Sequence, residues 1–157
     1  MPRRSAGLLM YRRAGAGLEV LLVHPGGPFW AKKDRGAWSI PKGEYAADEE
    51  PLAAAQRELA EETGARPRGA FAPLGEIKQP GGKHVTAWAI EGDFDPATHV
   101  STMVELAWPP RSGRTRSFPE VDRAQWFAPQ EARERILPAQ RPFIDRLEQL
   151  LAKGAWA

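Results

Sequence analysis

The feature that most constrains this chain is a helix with clear start and stop signals that carries acid where a helix tolerates it least. Over residues 51–63 (PLAAAQRELAEET) proline stands at the first helical position, alanine and leucine fill the body, and Gly64 supplies a stop. Leu52, Ala55, Leu59 and Thr63 recur on one face, which is predicted to pack on a core. Glu58 and Glu62 form an i,i+4 like-charge pair with Glu61 beside them, an arrangement that costs about 0.2–0.5 kcal/mol in an isolated helix. All three also fall in the last turns, where the helix dipole favours cations. Residues that break two local rules at once are expected at a functional site, and a divalent cation would turn their repulsion into coordination. Carboxylate oxygens on one helical face suit magnesium or manganese.

The segments around this helix predict a sheet. Residues 5–11 (SAGLLMY) and 18–23 (LEVLLV) read as two strands joined by a turn over Arg12–Gly17. His24–Ala37 is a long Gly- and Pro-rich loop, and Trp38–Pro41 reads as a brief strand. After the helix, strands are predicted at Leu74–Gln79, Val85–Ile90, Met103–Trp108 and Gln125–Phe127. Helices follow at Pro129–Ile136 and Ala139–Lys153, broken at Pro138. Strands interleaved with helices make this an α/β or α+β fold with a mixed sheet, and 157 residues are expected to form one domain over 1–157.

Composition removes whole classes of chemistry. With no cysteine, disulfides, thiolate zinc sites, iron–sulfur clusters and cysteine nucleophiles are excluded, which accords with a reducing cytoplasm. The apolar run Ala6–Met10 after Met1-Pro2-Arg3-Arg4 is too short for a signal-peptide core, and no run reaches the roughly 18 apolar residues of a membrane span. The expected location is therefore cytoplasmic, without a membrane partner. Twenty-two basic against 20 acidic side chains leave a net charge of +2, too little to predict a nucleic-acid partner. His24, His84 and His99 lack metal-ligand spacing, and neither a G-x-S-x-G elbow nor a P-loop is present. Serine-hydrolase, zinc-hydrolase and kinase readings have no support.

The acidic helix belongs to a longer pattern. Gly43, Glu49, Arg57, Glu58, Glu61, Glu62 and Gly64, with aliphatic Leu59 and the small Ala65, stand at fixed spacings over 23 residues. This segment resembles the Nudix box, and seven such identities coincide by chance at about 10⁻⁸ per start position, given ordinary residue frequencies. The resemblance implies a Nudix-like α/β/α sandwich with a central mixed sheet and hydrolysis of a nucleoside diphosphate linked to another group, X. It also implies that Glu58, Glu61 and Glu62 bind divalent metal, Mg²⁺ or Mn²⁺, with the carbonyl of Gly43 completing the shell. Glu49 is implied to pair with Arg57, so both support the site, as does Gly64. The catalytic base in this family comes from the box or from a later loop.

Outside the box, Glu120 in the segment 117–126 (SFPEVDRAQW) is the late-loop candidate for that base, and Glu105 a lesser one. Lys32, Lys33, Arg35 and Lys42 cluster before the box, and Arg111, Arg114 and Arg116 before Glu120; either group suits phosphates. Phe29, Trp30 and Tyr45 are candidates to stack a base. The loops His24–Ala37 and Arg111–Val121 are expected to choose X. Segment 117–126 resembles the dinucleoside polyphosphate branch, so the expected partner is a nucleotide polyphosphate, either a nucleoside triphosphate or a dinucleoside polyphosphate. The alternatives are ADP-ribose or a nucleotide sugar, an RNA 5′ end, and a non-catalytic nucleotide sensor; the chain is expected to be a monomer or a homodimer.

Overall fold

The computed structural model describes residues 4–15 and 17–153. The two ends of the expected 1–157 domain, the first residues of the N-terminal segment and Ala16 of the first turn lie outside the described residues.

Strands β1 (Arg4–Ala14) and β2 (Gly17–Pro25) form the expected hairpin, and β3 (Lys42–Glu44) pairs with the start of β1. Helix α1 (Pro51–Thr63) has the bounds read from its punctuation; β4 (Ala72–Gln79) and β5 (Lys83–Glu91) follow. Next come β6 (Met103–Ala107), β7 (Thr115–Pro119), β8 (Val121–Phe127), α2 (Pro129–Arg135) and α3 (Arg141–Ala152). The main sheet runs β4-β5-β1-β2-β8 with β3 off β1, and β1 lies parallel to β5 while the other pairings are antiparallel. It is a mixed sheet, as expected.

Both faces of this sheet are covered, which explains why its central strands read as unbroken apolar runs. Leu9, Tyr11, Val20 and Leu22 pack with Ile136 behind α2 and with Phe143, Ile144 and Leu147 of α3. Their neighbours Leu8, Met10, Leu21 and Val23 point the other way, onto Ala54, Ala55 and Leu59 of α1. The result is a helix–sheet–helix sandwich. No helix among the described residues is long and apolar enough to cross a membrane.

Three readings need correction. The brief strand expected at Trp38–Pro41 makes only single bridges, Val23 to Ser39 and Trp38 to Ile136, because Trp38 and Ile40 are spent filling the core; regular pairing begins at Lys42. Arg111–Val121, expected as a loop, contains β7, which pairs with β6 in a separate two-stranded ribbon. Thr115–Ser117 are exposed there, so no apolar alternation marks the strand. The last helix begins at Arg141, after a 3₁₀ turn over Pro138–Gln140.

Candidate active site

Helix α1 positions the acids. Glu50 caps its N-terminus, accepting a 2.9 Å bond from the Ala53 N–H, and Gly64 ends it with φ +88° while its N–H donates to Ala60 at 2.8 Å. Because Ala55, Leu59 and Thr63 must face the sheet, Glu58 and Glu62 are carried onto the buried side with them. Glu58 is 8% exposed and Glu62 5%. Leu52, the first member of the predicted apolar face, is half-buried against the same core.

Glu120 meets them from a later segment of the chain. It sits between β7 and β8, held by its N–H donating to the Thr102 carbonyl (2.9 Å) and its carbonyl accepting from Gly26 (3.0 Å). Segment 100–102 is tied in turn to the end of α1, since Val100 N–H donates to Thr63 and Thr102 N–H to Glu61, at 3.0 and 2.9 Å. One carboxylate oxygen each from Glu58, Glu62 and Glu120 lie within 4.8 Å of one another.

Electrostatics match this crowding. Burial, then repulsion from Glu120 and Glu58, pushes the Glu62 carboxyl well above the usual carboxylate range. Burial and nearby carboxylates raise Glu58 and Glu120 as well. Burial lowers the Lys42 ammonium against the pull of Glu62, while the Lys42 backbone N–H donates to Glu62 Oε2 at 3.2 Å. Gly43 lies against Glu58, and a Cβ there would fall inside that carboxylate, so only glycine fits.

Arg57 holds the outer side. It forks onto Glu49 (Nε–Oε2 2.9 Å, Nη2–Oε1 3.1 Å) and reaches Glu58 at 3.0 Å. Glu61 is drawn to Arg57 at 3.3 Å, is 39% exposed on its side chain, and stands beside the three converging carboxylates rather than among them.

A cleft of about 250 Å³ opens onto Glu62 and Glu120, lined by Trp30, Lys42, Ser39 and Ile40 among others. Trp30 and Lys42 of the sequence candidates stand in it. Lys32 and Lys33 are exposed, and the Lys33 ammonium lies over the Trp30 ring, 5.1 Å from its centroid. Tyr45 packs against the α1 core, Arg114 is exposed in the turn between β6 and β7, and Glu105 is exposed on β6; none of the three lines the cleft. Phe29 packs edge-on to Trp108 at 5.6 Å. A larger groove of about 450 Å³ lies between the β1–β2 turn and α3, with none of these acids in its wall. Sequence reasoning passed over Ser39, Ile40 and Leu137 as cleft lining, since nothing in an apolar or polar loop residue signals a wall.

The NUDIX domain model matches residues 1–147. The chain belongs to the Nudix family. Membership, with every acidic position of the box kept, makes it a Nudix pyrophosphohydrolase. Among curated proteins none matches the sequence. Solved Nudix structures share the fold. A C. elegans Ap4A hydrolase binary complex is 19% identical with a TM-score of 0.66, over 95% of this chain and 98% of that one. The NUDIX domain of Shewanella oneidensis NrtR, complexed with ADP ribose, is 16% identical with a TM-score of 0.65, over 96% and 89%. A mutT/nudix family protein from Listeria innocua is 16% identical with a TM-score of 0.64, over 99% and 98%.

Proposed function

We propose that this Nudix domain, acting as one unit over 1–157, uses a divalent cation to hydrolyse a nucleoside triphosphate or a dinucleoside polyphosphate. The observation that carries the reading is the convergence of Glu58, Glu62 and Glu120 within 4.8 Å at the edge of the cleft. Their all-oxygen donor set suits a hard cation, and the missing side chain at Gly43 lets the Glu58 carboxylate lie against the β3 backbone. Glu58, Glu62 and Glu120 would hold Mg²⁺ or Mn²⁺, with Glu61 and the Gly43 carbonyl as the further ligands the family resemblance implies. Bound there, such a cation neutralises phosphate charge and acidifies a water.

The remaining work falls to side chains of this chain. Lys42 presents its ammonium to a phosphate from the cleft wall, and Trp30 offers a flat face to a base. Glu120, half-buried at the edge of the cleft, takes a proton as water oxygen bonds to phosphorus and the anhydride P–O bond breaks, leaving two phosphorylated products. The full-length fold likeness to Ap4A hydrolase supports the polyphosphate class. ADP-ribose is a second reading, favoured by the likeness to the ADP ribose-complexed NrtR domain.

The test is a turnover panel of diadenosine polyphosphates, normal and oxidised triphosphates, ADP-ribose and coenzyme A, with Mg²⁺ or Mn²⁺, ranked by kcat/KM. A triphosphate or diadenosine polyphosphate is expected at the top, with no turnover in chelator. ADP-ribose at the top would overturn the substrate class alone. Folded protein that turns over nothing would overturn the hydrolase reading.

A further inference from the structure

His24 is the one fully buried histidine among the described residues, at 0% exposure, and nothing in the catalytic reading uses it. It lies near the end of β2 with its ring edge-on to Trp38, 5.2 Å between centroids. Both ring nitrogens have partners. Nε2 lies 2.6 Å from the Lys33 carbonyl oxygen, and Nδ1 lies 2.8 Å from Asp122 Oδ1. These partners belong to different pieces of the cleft. Lys33 lies in the loop that carries Trp30, and Asp122 lies on β8 two residues after Glu120. Gly26, at the start of the same loop, already bonds the Glu120 carbonyl at 3.0 Å.

From this geometry we infer that His24 is a positioning residue, a buried two-ended clasp that holds the Trp30 loop and the Glu120 strand at a fixed spacing for substrate. The inference rests on the hydrolase reading for its kinetic consequence and on geometry alone for its structural one. A loop of this length with Gly26, Gly27 and Gly36 along it has much conformational freedom to lose, and fixing it before substrate arrives lowers the cost of binding. The ring is suited to the task because its two nitrogens point in opposite directions from a rigid plane. An asparagine at 24 can reach one partner only.

His24→Asn is compared with wild type, with Asp122→Ala, with Asp122→Asn, and with Ile144→Ala, a core variant on the buried face of α3 that loses stability away from the cleft. Limited trypsin digestion, well below each Tm, reads the loop directly at Lys32, Lys33 and Arg35. Nicking is expected at least tenfold faster in His24→Asn and Asp122→Ala. In Asp122→Asn, whose amide can still bond the ring, it is expected nearer the wild-type rate, and in Ile144→Ala unchanged. With the best nucleotide of the panel, KM is expected to rise tenfold or more while kcat stays within about threefold, whereas Ile144→Ala shifts Tm without that split. Equal nicking of wild type and Asp122→Ala overturns the clasp, and that experiment needs no substrate, so it decides even if the hydrolase reading fails. If His24→Asn does not fold, Asp122→Ala, altered from the half-exposed side of the pair, decides both arms. A fall in kcat with unchanged KM assigns His24 a merely structural role.

Discussion

At Glu62 a carboxylate with 5% exposure faces Glu58 and Glu120. A carboxyl whose pKa is raised by folding binds its proton more tightly in the folded state, so stability falls as pH climbs from the unfolded value near 4.5 through the raised one. In chelator the protein is expected to lose up to about 1.4 kcal/mol per pH unit for each proton involved, and Glu58 and Glu120 add to the same slope. Glu62→Gln removes the largest contributor. In chelator at pH 8 it is expected to be more stable than wild type and to have a flatter pH profile, while its kcat with Mg²⁺ falls by about 100-fold or more. Calorimetry over pH 5–8 measures this, and identical slopes for the two proteins would sink the assignment. A second comparison separates the substrate candidates: Trp30→Ala and Lys42→Met, in the cleft wall, are expected to raise KM about tenfold. Arg114→Ala, exposed and outside that wall, should change it less than twofold.

Where α1 ends and β3 passes it, two glycines serve different ends. Gly64 has φ +88°, and a Cβ there would meet only Val100 at an ordinary 3.8 Å contact, so Gly64→Ala strains only the helix stop, costing about 1 kcal/mol with KM unchanged. Gly43 sits against Glu58, so Gly43→Ala must displace a carboxylate that the site requires. Its expected signature is a loss of kcat larger than any loss of Tm implies, measured by steady-state kinetics beside thermal melts; the reverse ranking would argue that Gly43 matters only for packing. The helix was legible because its signals are local: proline at the start, glycine at the stop, apolar residues at helical spacing. The ribbon strand β7 was not, since a strand exposed over Thr115–Ser117 carries no burial pattern to read.

Across the whole molecule, the acidic centre joins parts distant in the chain, linking α1 through segment 100–102 to Glu120 and through Gly26 to the Trp30 loop. A cation bound there belongs to the folded state alone, so stability should rise with its concentration by about 1.4 kcal/mol per tenfold above Kd. For a chain of this size that is a Tm increase of roughly 3–6 °C per tenfold. Titrating Mg²⁺ and Mn²⁺ against Tm measures it, with Glu62→Gln expected to flatten the response. A response equal in both proteins would place the cation elsewhere.

What the sequence determined by itself were the features set by short-range geometry. The 3.6-residue period put Glu58 and Glu62 on one helical face, and apolar runs marked strands buried on both faces, while the pairing of Arg57 with Glu49 was implied by the resemblance to the Nudix box. Only the tertiary structure decided which candidates meet. Glu120 lies 58 positions beyond Glu62, and its approach depends on the β6–β7 ribbon and the bonds of segment 100–102, none of which has a local signature. The same holds for Tyr45, which went to the core, and for His24, whose two partners lie 9 and 98 residues away. Helical spacing fixes neighbours within one or two turns, but contact between distant segments follows from how the sheet is stacked and where its connections cross, and that is a property of the assembled fold.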